Sequence, residues 1–136
     1  MRDANVLVVE DDDTIRRLLV EYLKAHSYLR VEGARDGVEA LHQISKSHYG
    51  VVVLDVMMPK MSGVDLLDSL LAMTSDPSVK TIEHLPAVIV ITSAPEAALP
   101  ADLFRQRFPK MVRTVLRKPL EVSSLAEKVE SLLRMG

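Results

Sequence analysis

Val51-Val52-Val53-Leu54-Asp55 sets the reading of this chain: β-branched or aliphatic residues followed at once by an aspartate. A short run of that kind is what a strand covered on both faces looks like, and such strands belong to parallel sheets flanked by helices. An ionised side chain at its end costs several kcal/mol if buried alone, so Asp55 is expected to have partners. Upstream the pattern recurs as Val6-Leu7-Val8-Val9 followed by Glu10-Asp11-Asp12-Asp13, and downstream a late strand leads into Lys118-Pro119. In a parallel α/β sheet the carboxyl ends of the strands share one edge, so these distant segments can build one pocket for a cation and a phosphoryl group.

Short apolar runs alternate with amphipathic stretches along the whole chain, the pattern of βα units rather than of a sandwich or bundle. Strands are expected at Asn5–Glu10, Tyr28–Glu32, Val51–Asp55, Ala87–Thr92 and Thr114–Arg117. Helices are expected at about Thr14–Ala25, Gly37–Ser47, Gly63–Ser75, Pro100–Phe108 and Glu121–Arg134, each a crossover between parallel strands. In the first helix Ile15, Leu18, Leu19, Tyr22 and Leu23 form one apolar stripe, with Arg16, Arg17 and Lys24 facing water. In the last, Val122, Leu125, Val129, Leu132 and Leu133 do the same. Prolines and scattered polar residues make Asp76 through Pro86 a loop.

With 136 residues, 48% of them hydrophobic and 26% charged, the chain reads as one ordinary globular domain spanning 1–136. A net charge of −2 gives no overall pull toward nucleic acid or membrane. The absence of cysteine removes disulfides, thiolate metal sites and cysteine nucleophiles. No apolar run approaches the roughly 20 residues of a membrane span and the start is not a signal peptide, so a cytoplasmic location is expected.

Two unit charges ~4 Å apart repel by roughly 4 kcal/mol at an effective dielectric of about 20, so the adjacent acids at 10–13 need neutralising. Strand alternation sends neighbours to opposite sides, and Glu10 and Asp11 are the pair expected at the sheet edge, with the others capping the next helix or meeting solvent. Oxygen ligands of this kind suit Mg²⁺, which keeps several waters and usually binds beside a phosphate. Taken alone, the acid run also fits simple complementation of a helix dipole. After Asp55, the stretch Val56 to Gly63 makes a tight turn with an open backbone carbonyl at Met57. Lys118 is held extended by Pro119, with the peptide bond between them open to a cis form, so its ammonium can pair with Asp55. Thr92 offers a hydroxyl at the end of the fourth strand, and Ser93 beside it is an alternative.

Read together, Val6 to Asp12, Leu54 to Gly63, Val90-Ile91-Thr92-Ser93-Ala94 and Arg117-Lys118-Pro119-Leu120 resemble the receiver domains of bacterial two-component response regulators over essentially the whole chain. The resemblance implies a flavodoxin-like, doubly wound, five-stranded parallel sheet in the order 2-1-3-4-5 with five helices, a topology that chemotaxis receivers share. It implies Asp55 as phosphoacceptor, Glu10, Asp11, Asp55 and the Met57 carbonyl as holders of Mg²⁺, Thr92 as the switch hydroxyl, and Lys118 as the lysine that meets the phosphoryl group. A phosphohistidine on a histidine kinase or histidine phosphotransfer protein would be the donor. The chain would catalyse only its own phosphorylation and dephosphorylation. The phosphorylated form would favour a second packing of the face made by the fourth helix, fifth strand and fifth helix, where an effector protein or a second copy could dock. No output module follows the fifth helix, so direct DNA contact is not expected.

The chain departs from the family at Val115, where receivers usually carry an aromatic that swings inward with the hydroxyl; here the signal is expected to leave through the loop after Thr92. Arg105, Arg107, Lys110, Arg113, Arg117 and Lys118 run without an acid between them, beside Phe104 and Phe108 at i, i+4 spacing. Core-facing phenylalanines with a solvated basic rim are the first reading, and a dock for an acidic partner surface the second. A haloacid-dehalogenase-like phosphatase would need Asp-x-Asp-x-Thr/Val after the first strand; Asp11 to Ile15 misses the fifth position, and the late acids Glu121, Glu127 and Glu130 lie on one helix. An unphosphorylated adaptor would not need the complete set of acids, lysine and hydroxyl. His26, His42, His48 and His84 fall in different elements and read as surface or boundary residues.

Overall fold

The computed structural model describes residues 5–26, 30–56, 63–75 and 85–134. Its elements alternate as β1 (Asn5–Val9), α1 (Asp13–His26), β2 (Arg30–Ala34), α2 (Gly37–Lys46), β3 (Val51–Asp55), α3 (Gly63–Ser75), β4 (Ala87–Thr92), α4 (Ala101–Arg107), β5 (Val112–Arg117) and α5 (Val122–Arg134). The strands form one parallel sheet in the order β2-β1-β3-β4-β5, the flavodoxin-like arrangement expected from sequence.

Alternation along the central strands divides the core into two layers. Leu7, Val9, Val52, Leu54, Val88 and Val90 pack under α2, α3 and α4 with Ile44, Leu66, Leu70, Phe104 and Phe108. Val6, Val8, Val51, Val53, Ile89 and Ile91 face the other way, against Leu19 and Leu23 of α1 and Leu125, Val129 and Leu132 of α5. Because all the strands run parallel, their carboxyl ends lie along one edge and deliver buried Glu10, Asp55 and Thr92 to it.

Most differences from the sequence reading are at element ends. β1 stops at Val9, leaving Glu10 at the edge with its N–H donated to Ala34 O at 3.0 Å. β2 runs to Ala34 rather than Glu32, and residues 27–29, where it was expected to begin, lie outside the described residues. β5 begins at Val112 rather than Thr114 because Val88 donates to Met111 O at 2.8 Å and a bulge takes up Arg113. α1 starts one residue earlier, at Asp13, with the Asp12 carboxylate accepting from Ile15 N–H at 2.8 Å. The loop expected at 76–86 also falls mostly outside the described residues.

The α1 stripe needs a larger correction. Only Leu19 and Leu23 are buried, while Ile15, Leu18 and Tyr22 are exposed, Leu18 by 60%. Arg16, expected in water, folds back over the sheet edge, where its stem lies against Gly33 and its guanidinium donates to Glu10 O at 2.9 Å and pairs with Asp13. A Cβ added at Gly63 would stand 2.6 Å from Val56 Cα, so glycine is what lets α3 begin directly against the end of β3.

Candidate functional site

Glu10, Asp55 and Thr92 are the buried polar residues of the sheet, and all three sit at strand carboxyl ends. Lys118, after β5, reaches across the edge: its Nζ lies 3.1 Å from Glu10 Oε1 and 3.2 Å from Asp55 Oδ2. The Lys118–Pro119 peptide is cis. The main chain around this cluster is tied on each side, with Lys118 N–H donating to Thr92 O at 2.8 Å and Val56 N–H to Ile91 O at 3.3 Å. Arg16 fixes the Glu10 carbonyl, a role that sequence reasoning missed because a main-chain acceptor leaves no mark in the sequence.

Burial and neighbouring charge act together on Glu10. Burial, then the hydrogen bond shared with Asp55, pushes its carboxyl from 4.5 to about 7, although the Lys118 ammonium pulls the other way. For Lys118, burial works against the ammonium, but hydrogen bonds and attraction from Glu10 and Asp55 outweigh it, and its pKa is raised. Two buried carboxylates with one ammonium leave an uncompensated negative charge.

Exposed Asp11 adds a third carboxylate, and Glu10, Asp11 and Asp55 each offer an oxygen within 4.8 Å of the others. Three hard oxygen donors with excess negative charge fit Mg²⁺ and would suit softer, nitrogen- or sulfur-seeking metals poorly. Met57, whose carbonyl was expected to join them, lies outside the described residues. Thr92 is fully buried and its Oγ1 accepts from Ala94 N–H at 3.0 Å, whereas Ser93 is exposed.

The basic run separates in space. Phe104 and Phe108 are core residues, as the first reading had it. Arg107 pairs with Asp68 of α3 at 2.9 Å, and Arg105 with Asp102 at 3.3 Å. Arg117 turns onto the β4–α4 loop, donating to Ala94 O at 2.8 Å and Leu99 O at 2.6 Å and pairing with Glu96. His42 and His48 are exposed, and the side chains of His26 and His84 lie outside the described residues.

A family model for the response regulator receiver domain matches residues 6–130. This chain belongs to that family. It is 28% identical to the chemotaxis protein CheY-3 of Vibrio cholerae over 131 residues, covering 96% of this chain and 92% of that one. It is 32% identical to an uncharacterized response regulatory protein of the same organism, again over 96% of this chain but 48% of the other, so it spans about half of that relative. Among solved structures, the receiver domain of the Francisella response regulator 1452 superimposes with a TM-score of 0.75 at 25% identity, over 96% of this chain and 97% of that one. The fold is therefore that of a two-component receiver, with an acidic pocket at the edge where such a sheet binds its ligands. Among the described residues no helix is long and apolar enough to cross a membrane.

Proposed function

We propose that the chain is a phosphoacceptor switch of a phosphorelay, with Asp55 as the residue modified and Mg²⁺ as cofactor. The observation that carries this reading is the Lys118 ammonium bridging Glu10 and Asp55 from three separate strand ends, with Asp11 completing an oxygen cluster.

In this reading an Asp55 carboxylate oxygen attacks the phosphorus of a phosphohistidine on a histidine kinase or phosphotransfer protein. The O–P bond forms as the P–N bond breaks, and the imidazole leaves in line. Mg²⁺, held by Glu10, Asp11, Asp55 and the Met57 carbonyl, would neutralise charge on the phosphoryl oxygens. Lys118 Nζ exchanges its contact with Asp55 for a phosphoryl oxygen, and Glu10 keeps the ammonium in reach. Buried Thr92 turns its hydroxyl from Ala94 N–H toward the new group. Ala94 is also held by Arg117, so losing the Thr92 contact loosens the β4–α4 loop that Arg117 of β5 grips. The output is a shift of the α4-β5-α5 face, and the chain turns over no other substrate.

A donor helix must approach the strand edge beside Asp11, where Ile15 and Leu18 present apolar side chains on the first turns of α1. The aqueous chemistry of the relay and the absence of any span among the described helices support a cytoplasmic location.

Intact-mass spectrometry after incubation with acetyl phosphate and Mg²⁺ tests the acceptor. Wild type is expected to gain one phosphoryl group, lost in hydroxylamine or on removing the metal beforehand, and Asp55→Asn to gain none. A stable adduct on Asp55→Asn equal to that of wild type overturns the assignment. Leu18→Glu is expected to slow transfer from a phosphorylated protein donor while acetyl phosphate labelling stays as in wild type.

A further inference from the structure

Of the consecutive acids at 10–13, two work outside the pocket. The Asp12 carboxylate caps α1 by accepting from Ile15 N–H at 2.8 Å, and the exposed Asp13 carboxylate pairs with Arg16. Arg16 itself stands where a cation is disfavoured, on the opening turn of α1 near the positive end of the helix dipole. Only 18% of its side chain is exposed, although Ile15 and Arg17 on either side face solvent. Helix formation does not ask for this placement. The guanidinium is turned inward onto Glu10 O, at 2.9 Å.

That oxygen belongs to the peptide unit joining Glu10 to Asp11, the two acids expected to hold the ion. Because the unit is planar, fixing its oxygen also fixes the Cα from which the Asp11 side chain starts. The Glu10 N–H is already held by Ala34 O at 3.0 Å, so the main chain is gripped on both sides of the Glu10 side chain. The guanidinium does this without cancelling the negative charge of the pocket, because its other terminal nitrogen is taken up by Asp13. Gly33 of β2 completes the arrangement. A Cβ there would stand 3.0 Å from Arg16 Cδ and 3.2 Å from Cγ, so bare backbone is the bed in which the stem lies. The bed is itself fixed, since Gly33 pairs with Val8 in the sheet and its carbonyl accepts from Gln43 at 3.3 Å.

We propose that Arg16 is a positioning residue for the cation site: gripping the peptide between Glu10 and Asp11, it holds both carboxylates at the spacing a divalent ion requires, and Gly33 is the residue that admits it. The proposal rests on the Mg²⁺ reading of the pocket and names what sets its affinity, a part that groups behind the ligands commonly play in metal sites. The effect passes through the main chain and not through a contact of the arginine with the ion.

The test titrates Mg²⁺ into ¹⁵N-labelled wild type, Arg16→Met, Gly33→Ala and the double variant, following the amides of Glu10, Asp11 and Asp55. Methionine keeps an apolar stem over Gly33 and removes the guanidinium. Arg16→Met is expected to weaken Mg²⁺ binding by about tenfold or more. Gly33→Ala, which pushes the stem off its bed, should weaken it by a smaller factor. In the double variant the Gly33→Ala effect should vanish, because no guanidinium is left to displace. Before any metal is added, ¹⁵N relaxation at Asp11 should report larger motion in Arg16→Met than in wild type. In acetyl phosphate labelling the Mg²⁺ concentration for half-maximal uptake should rise, while the rate at saturating Mg²⁺ stays near that of wild type. A lowered urea midpoint in Arg16→Met with unchanged Mg²⁺ affinity would mean that the arginine merely covers the sheet edge, and it overturns the proposal, as do additive effects in the double variant. The two readings fail separately: wild type without saturable shifts at these amides removes the metal pocket, whereas wild type and Arg16→Met binding Mg²⁺ equally well removes the clamp alone.

Discussion

At the ends of β1 and β3, Glu10 and Asp55 are buried carboxylates that share one ammonium at 3.1 and 3.2 Å. One strand further along the same edge, the corner between β4 and α4 is held by a half-exposed guanidinium, that of Arg117, on two loop carbonyls and on exposed Glu96. The first region stores like-charge repulsion behind a wall of aliphatic strands. The second is a set of ordinary hydrogen bonds open to water. A charge change at Asp55 is therefore felt strongly where it happens, and is transmitted where rearrangement is inexpensive. Thr92 joins the two, since its buried hydroxyl holds Ala94, the residue whose carbonyl Arg117 grips.

Removing the Lys118 ammonium disturbs the first region most. Lys118→Met leaves two buried carboxylates facing each other, and loss of one partner from a buried pair typically costs about 3–5 kcal/mol. Urea denaturation at pH 8 is expected to show a loss of that size, shrinking at pH 5, where Glu10 takes up a proton and removes the repulsion. An equal loss at both pH values would mean that packing, and not charge, holds the pocket.

In the intact protein the burial of Glu10, with Asp55 beside it, sets a pH dependence. Glu10 is raised from 4.5 to about 7, so the folded state holds its proton more tightly than the unfolded chain does. Its contribution is complete below about pH 4.5 and is lost as pH rises through 7, by up to ~3 kcal/mol. Glu10→Gln should flatten that slope in urea midpoints measured across the range. Mg²⁺ needs the ionised carboxylate, so its affinity is expected to climb between pH 6 and 8 with release of a proton, measurable by calorimetry in buffers of different ionisation heat. A pH-independent affinity would place the metal away from Glu10.

How far each region could be read from sequence follows from the same difference. Glu10, Asp55 and Thr92 each close a run of β-branched or aliphatic residues, and Lys118 directly follows β5, separated from Thr114-Val115-Leu116 by Arg117 alone, so a parallel sheet is enough to bring them together. The order of elements followed from the alternation of those runs with amphipathic stretches. Arg16 and Arg117 were not legible as clamps because their partners are carbonyls of Glu10, Ala94 and Leu99, groups that every residue carries. The α1 stripe misled because apolar spacing reports a helical face but not its cover: the layer shared with α5 closes over Leu19 and Leu23 and stops short of Leu18. β5 starts two residues before the expected Thr114 because the bulge at Arg113 interrupts the alternation that marks a strand.

On the loop side, the residue to change is Arg117. Arg117→Gln keeps a donor but can reach only one of the two carbonyls, and it loses the pairing with Glu96. Stability should fall by only about 1 kcal/mol, the usual net worth of an intramolecular hydrogen bond. The local consequence is larger, because Ala98 and Leu99 amides, which donate to Pro95 O at 3.0 Å, depend on the loop staying closed. Hydrogen exchange in 93–100 should accelerate while the α1 and β3 amides keep their protection. With Arg117 no longer holding Ala94, the Thr92 hydroxyl is freer to turn inward, and uptake from acetyl phosphate should be faster than in wild type, as a shift in a pre-existing equilibrium requires. Unchanged exchange in that loop would show that the guanidinium rests on the carbonyls without restraining them, and the signal from Asp55 would then have to leave through Lys118 and β5 instead.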